Sequence, residues 1–453
     1  MKKIMALVLA AMMLLACCSA LAEAPEGYPE VKEGIDLGGK DIYIYNYWDS
    51  ADWTERMSGD LSDEQQAQVD YRHWIEKTYN CTIHEIMRGD WGTCAEEMTN
   101  FVSTPEDDKL AILIIEPGKV GSLVANGMAA PIDYDTSAEK WNQADISLWS
   151  KDGQKYGLYT GASEPRQCLF FNKRILEEAN IDWNTIYDAQ KNGTWTWAMF
   201  EDMLKQVTKD TDNDGTYDVY GLIGSRDDME VCAVFTNGGA FFDLDADGKL
   251  YPSMDNDTVK EALTWATDTW TKYAAPTPAE ANWDWYKEGW KQGYCAFYMY
   301  QTYGGFNDNS EMADMEDEWG CVAFPVPKEG GNYITVNSDN ITLIPSCYKG
   351  ETVAQLAFIY DMWTNPTPGY EEDNWIGNKY NFTDERAVDE TYAMLREPEH
   401  VVVNRVVVMG TQNDILGSQL LWSLGGDNTA AALIEQNMPD WQARCDTYNN
   451  AGK

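Results

Sequence analysis

The stretch Leu110-Ala-Ile-Leu-Ile-Ile115 is apolar without interruption, between Lys109 and Glu116. A strand wetted on one face alternates apolar and polar side chains. An unbroken apolar run is the pattern of a strand covered on both faces, which parallel sheets provide. Two alternating, strand-like stretches precede it, Lys40–Tyr45 and Cys81–Met87, separated by an amphipathic helical pattern over Gln65–Tyr79. Helical patterns follow over Thr93–Val102 and Val120–Met128. Parallel neighbours need a crossover between them, so this alternation predicts an α/β fold with a mostly parallel sheet flanked by helices.

The alternation resumes downstream. Leu169–Phe171, Ala296–Tyr300 and Ile341–Pro345 read as strands. Lys173–Asn180, Ala198–Val207 (with Thr196 as N-cap), Val259–Tyr273, Val353–Thr364 and Asp427–Asn449 read as helices. A chain of 453 residues exceeds what one core usually holds. There is no internal repeat and no long low-complexity linker. Two α/β lobes sharing several chain crossings account for this pattern.

The first residues read as an export signal. Lys2 and Lys3 are followed by an apolar run, Ile4–Cys18, and then Ser19-Ala-Leu-Ala-Glu23. Cleavage after Ala22 gives a signal peptide over 1–22. A second reading takes Leu14-Leu-Ala-Cys17 as a lipobox, with Cys17 lipidated. The run is shorter than the about 20 apolar residues a membrane span needs. Residues 23–40, rich in Pro, Glu and Gly, read as a tether. The protein is expected to be exported, extracellular or at the cell surface.

Seventy-five acidic against 33 basic residues give a net charge of −42. Such a surface repels nucleic-acid backbones and anionic lipid, and disfavours a strongly anionic ligand. Three histidines in no metal-binding spacing leave little to build a histidine-based metal centre or a Ser-His-Asp triad from. Eight cysteines follow position 18, from Cys81 to Cys445, with no CxxC pair. They read either as disulfide partners, Cys81 and Cys94 being closest in sequence, or as buried thiols acting as small apolar side chains.

Four stretches carry a resemblance to a known family. They are Leu110–Pro117 running on through Val120–Asp133, the Tyr156-Gly-Leu-Tyr and Leu169–Ile181 stretches, Trp195–Gly221, and Asn381–Thr391. In order and spacing the chain resembles the extracellular solute-binding proteins of the maltose-binding type, which serve ABC importers. The resemblance implies a two-lobed periplasmic-binding-protein-like fold with hinge strands, no catalytic residues and no organic cofactor. It implies crossings near Gly161–Arg166, Gly320–Phe324 and Asn365–Gly369. The lobes would then be 41–163 plus 322–366 and 164–321 plus 367–453. It further implies a monomer that closes over a carbohydrate ligand and docks on an importer permease.

Ligands of open α/β sheets bind beyond the carboxyl ends of the strands. That rule selects Trp48, Asp49 and Trp53 after the first strand, Trp91 after the second and Glu116 after the third. It also selects Tyr300, Gln301 and Tyr303 at the end of a later strand. Glu164 and Arg166 fall at the expected hinge, and Asn237 in a glycine-rich turn. Where the family often has a glycine–tryptophan pair, this chain has Tyr303-Gly-Gly305. Aromatic faces stack on sugar C–H surfaces, while amides and carboxylates pair with hydroxyls. Each of these residues also has a structural reading. The aromatics are equally core candidates, and Arg166 can simply pair with Glu164.

Asp210-x-Asp212-x-Asp214-Gly215-Thr216-x-Asp218 has the spacing of a calcium loop, with the Thr216 carbonyl as a further ligand. Gly221 stands where such loops place a bidentate glutamate, so Asp227 or Asp228 would have to complete the shell. The expectation is a structural Ca2+, the alternative an acidic turn without metal. Asp243-x-Asp245-x-Asp247-Gly248 reads as a hairpin turn. The rival function is a secreted glycoside hydrolase, which would need two carboxylates flanking a sugar. No eightfold strand–helix pattern or jelly-roll strand series supports it.

Overall fold

The unbroken run becomes the middle of a five-stranded sheet. In chain order its strands are β1 (Lys40–Asn46), β2 (Cys81–Met87), β3 (Lys109–Ile115) and β4 (Gly157–Leu158), joined by a late strand. Its spatial order is β2-β1-β3-late strand-β4. A second, four-stranded sheet is built from β5 (Gln167–Asn172), β6 (Tyr220–Gly224), β7 (Cys295–Gln301) and β8 (Trp319–Val322), in the order β8-β5-β7-β6. The late strand of the first sheet is β9 (Ile341–Leu343). The chain therefore passes from one sheet to the other between Leu158 and Gln167 and returns between Val322 and Ile341.

This is a computed structural model, and it describes residues 24–106, 109–305, 312, 314–370 and 384–450. The expected signal peptide with Cys17 lies outside the described residues, as does the start of the Asn381–Thr391 stretch.

Both faces of β3 are covered, as its composition demands. Leu110 and Ile112 join Ile42, Ile44 and Ile83 in one core, while Ala111, Leu113 and Ile115 face the other way into a second. Fully burying one such aliphatic side chain contributes about 1.5–3 kcal/mol. The main helices around the two sheets are α1 (Asp63–Tyr79), α2 (Cys94–Ser103), α3 (Pro117–Ala125), α4 (Gln143–Leu148), α5 (Trp197–Val207), α6 (Arg226–Thr236), α7 (Asp257–Tyr273), α8 (Glu351–Trp363) and α9 (Ala430–Asn450), of which α5, α6, α7 and α9 belong to the second lobe. Their starts follow local chemistry. Ser62 and Gln65 close a capping box on α1, and Thr196 accepts from the Met199 amide on α5.

The sheets are mixed, where a mostly parallel arrangement is expected from sequence. β1 runs parallel to β2 and β3, and β6 to β7. β9 is antiparallel to both its neighbours, and β5 to both of its own. The reason is the crossings. A strand that enters from the other lobe needs no crossover helix, so nothing imposes the parallel sense on it.

Residues 24–39 do not hang free as a tether would. Leu37 is buried, and the Tyr28 ring packs edge-on against Tyr71 at 5.4 Å and Trp74 at 5.2 Å. All eight cysteines after position 18 are free thiols, seven of them buried.

Candidate functional site

The loops after β1, β2 and β3 face the N-terminal end of α6 and the end of β7 across a cavity of about 1130 Å³. Its floor is the pair of crossing segments. Among the described residues four tryptophans are exposed: Trp48, Trp91, Trp283 and Trp422, at 49%, 60%, 80% and 58%. All four line this cavity. Exposing large apolar rings is unfavourable without a partner, and single scattered cases are ordinary, but four around one cleft are not scattered.

Each wall is set by local structure. Asn46 ends β1, and its side-chain oxygen takes the amides of Trp48 (3.0 Å) and Asp49 (2.8 Å), which turns Trp48 outward. Beyond β2, Lys119 Nζ stands 4.4 Å from the Trp91 ring centre, so the cation occupies one face of the indole. Glu116 directly follows β3 and caps α3, accepting from the Gly118 amide at 2.9 Å. Burial raises its carboxyl above the usual range. In the second lobe Asp227 and Asp228 open α6 directly after β6. Asp228 is pushed up to about 7, by burial first and by the Asp227 carboxylate second.

On the floor, Arg166 is held by its backbone. Its amide donates to Thr335 Oγ1 at 2.8 Å, and its carbonyl accepts from the Thr302 amide at 2.7 Å. Its guanidinium approaches Glu164 at 3.8 Å, and its buried Nε has no hydrogen-bond partner. An unpaired buried donor costs about 1–3 kcal/mol, which an acceptor oxygen entering the cleft would remove. Tyr47, whose hydroxyl donates to Asn340 Oδ1 at 2.6 Å, completes this end.

Of the residues chosen from sequence, the structure brings Trp48, Trp91, Glu116, Glu164, Arg166, Gln301 and Tyr303 to the cavity lining. Four others are placed elsewhere. Trp53 is in the first lobe's core with Nε1 bonded to the Ile83 carbonyl, because the short helix Trp53–Arg56 turns it inward. Asp49 pairs with Arg56 at 2.5 Å. Asn237 caps the far end of α6, about 16 Å of helix from the cleft, and bonds the Thr258 carbonyl. Tyr300 is buried behind the lining, its hydroxyl 2.8 Å from that of Tyr303. Sequence reasoning missed Tyr47, Asp227, Asp228, Trp283, Lys287, Gln412 and Trp422. The strand-end rule was enough to find Asp227 and Asp228. Trp422 follows no strand and carried no signal.

The acidic loop is separate from the cleft. Carboxylate oxygens of Asp210, Asp212 and Asp218 come within 4.8 Å of one another. Asp210 curls the loop by accepting from the amides of Asn213 (2.7 Å) and Gly215 (2.9 Å). Asp214 is outside this group and accepts from the Thr216 amide at 2.7 Å. Asp227 and Asp228, considered above as outside donors, face the cleft instead.

A two-lobed α/β protein with an aromatic and polar cleft at its hinge has the build of a solute receptor. The family described as bacterial extracellular solute-binding protein matches residues 76–372, more than half of the chain, and the protein belongs to it. The fold is shared with solved structures at low identity. An ABC substrate-binding protein from Listeria monocytogenes in complex with cycloalternan is 16% identical, with a TM-score of 0.58 over 89% of this chain and 98% of its own. The GacH receptor of Streptomyces glaucescens, solved unliganded and with acarbose, is 14% identical, with a TM-score of 0.57 over 90% and 99%. UgpB from Mycobacterium tuberculosis, in complex with glycerophosphocholine, is 12% identical, with a TM-score of 0.57 over 90% and 99%. Among curated proteins none matches the chain in sequence.

Proposed function

We propose that the protein captures a neutral sugar or oligosaccharide in the interlobe cleft and delivers it to an ABC-type importer. The observation that carries this reading is the convergence of four exposed tryptophans on one cavity that also holds Glu116, Asp227, Asp228 and Arg166. Indole faces suit the C–H faces of pyranose rings, and the carboxylates and the guanidinium suit hydroxyls. The glycan-bound relatives named above support the class of ligand. The acidic excess of the lining favours a ligand without negative charge. Capture proceeds by closure. The glycan docks on one lobe of the open form, and the second lobe completes its hydrogen bonds. No covalent step is required of the chain.

The same reading makes the protein an exported monomer, with Cys17 as a lipid anchor if the lipobox is used. It assigns a structural Ca2+ to Asp210, Asp212 and Asp218. These three donors are fewer than the six to eight oxygens calcium takes, so the Thr216 carbonyl and water would complete the shell.

A thermal-shift screen of the mature chain against mono- and oligosaccharides, with and without calcium, tests this. A ligand at about 100 times its dissociation constant adds about 2.7 kcal/mol of stability. One glycan class should raise the melting temperature and be recovered intact. Recovery of cleaved sugar would replace the receptor by a hydrolase, and no response to any sugar would remove the glycan reading.

A further inference from the structure

Gly417 lies in a π-helical turn, Asn413–Ser418, that forms part of the cleft wall. Trp422, five residues on, covers it. A β-carbon built on Gly417 would lie 2.8 Å from two ring carbons of Trp422 and 2.9 Å from a third. Carbon atoms rest at about 3.5–4.0 Å, so no side chain fits there with the indole in place. The three ring atoms are consecutive around the six-membered ring. An edge approaching a point brings one atom much nearer than its neighbours. Near-equal distances mean that the face of the ring lies over the glycine.

The indole is also fixed at its rim. Its Nε1 lies 3.4 Å from Asp227 Oδ2 on α6. Arg226, on the same helix, donates to the carbonyls of Leu421 and Leu424, the latter at 3.0 Å, and so ties the segment carrying Trp422 to α6. One face of the ring is thus on Gly417 and one edge on Asp227. The opposite face is open, which is why a tryptophan held this firmly is still 58% exposed. No other described glycine has a cleft-lining tryptophan in the place of its β-carbon.

We propose that Gly417 is the seat of a stacking platform: its missing side chain sets the depth at which Trp422 presents its free face, and so selects which sugar rings the second lobe accepts. Gly417 is a positioning residue and touches no ligand itself. Only the sugar clause rests on the glycan reading above. Gly417 does not adopt a left-handed backbone, so alanine meets no conformational barrier there. Its cost falls on the indole, which has to rise into the cleft.

The test uses the full chain labelled with 5-fluorotryptophan, the Trp422 resonance being assigned by Trp422→Phe. Gly417→Ala should move that resonance more than any other. Adding mannotriose to the wild type should shift the same resonance, and in Gly417→Ala the midpoint should rise by about tenfold, equivalent to 1.4 kcal/mol. An unmoved Trp422 resonance in Gly417→Ala overturns the seat, and an unchanged mannotriose midpoint overturns its role in selection. If neither mannotriose nor any sugar of the panel above shifts the resonance in the wild type while Gly417→Ala still displaces Trp422, the seat stands and the glycan reading falls at this platform. If Gly417→Ala folds poorly, Gly417→Ala/Trp422→Leu has no ring to displace and should regain the lost stability. Failure to regain it also overturns the seat.

Discussion

Asp145 and Asp339 face one another across a single donor: Asn337 Nδ2 lies 3.3 Å from Asp145 Oδ2 and 2.9 Å from Asp339 Oδ2. Both acids are buried, and they sit where the crossings between the sheets meet. The Glu164 amide donates to Asp339 Oδ1 at 3.2 Å, and Asn337 also reaches Ser163 Oγ at 3.1 Å. Two buried carboxylates meeting on one amide favour a shared proton over double ionisation, even with the Arg166 guanidinium acting on Asp339.

Burial first and the Asp339 carboxylate second push Asp145 up to about 8, and Asp339 is raised by burial as well. The unfolded chain releases these protons near pH 4, so between about pH 4 and 8 the native state binds more protons than the unfolded one. Stability from this pair is therefore present at low pH and is lost as pH rises through that window, at about 1.4 kcal/mol per unit for one proton. Asp145→Asn, which keeps a neutral donor beside Asp339, should flatten the decline. Chemical denaturation of both forms at pH 5, 6, 7 and 8 measures it. Parallel slopes would show that the pair holds no shared proton.

The exposed tryptophans separate binding from folding. Trp48, Trp91 and Trp283 contribute little to the cores, so each alanine substitution should change apo stability by no more than about 0.5 kcal/mol. Each should weaken glycan binding by about tenfold or more, as anchoring aromatics do. Titration calorimetry beside thermal denaturation reads both quantities. A variant that loses stability in proportion to affinity would mark its indole as a packing residue.

These residues also show how far the sequence could be read. Trp48, Trp91 and Glu116 follow strands whose alternation or unbroken apolar run is plain, so the strand-end rule reaches them. Asp227 and Asp228 follow β6 in the same way, but their proximity in sequence to the acidic loop suggested calcium ligands. Trp53 also follows β1, yet the helical turn it begins faces the core, and orientation within one turn is a tertiary outcome. Trp422 and Gln412 come from a segment of 3-10 and π turns with no periodicity to read. The antiparallel strands β5 and β9 were legible as strands, but their sense follows from crossings that no local pattern encodes.

Arg166 is predicted to serve both closure and capture. Its guanidinium is the countercharge of Glu164 and Asp339, and its Nε lacks a partner. Arg166→Gln keeps donors in place but removes the charge. It should lower stability by about 1–3 kcal/mol and abolish most glycan affinity. Arg166→Lys restores charge without the planar fork, so it should recover stability more than binding. Recovery of both by lysine would show that the guanidinium geometry is not used by the ligand.

The calcium proposal turns on the carboxylates that meet in the acidic loop. Asp218 already accepts from Thr211, which holds its carboxyl below the ordinary value and keeps it ionised and available to a cation. Asp210 carries the loop's own amides and orients it. Adding calcium to chelator-treated protein should raise the melting temperature, by an amount equivalent to about 2.7 kcal/mol at 100 times the dissociation constant. Asp212→Asn should remove most of that gain, because Asp212 supplies one of the three converging carboxylates. Asp214→Asn should remove less, its oxygen being outside that group. Equal effects of the two substitutions, or no response to calcium in the wild type, would leave the segment an acidic turn stabilised by its own amides.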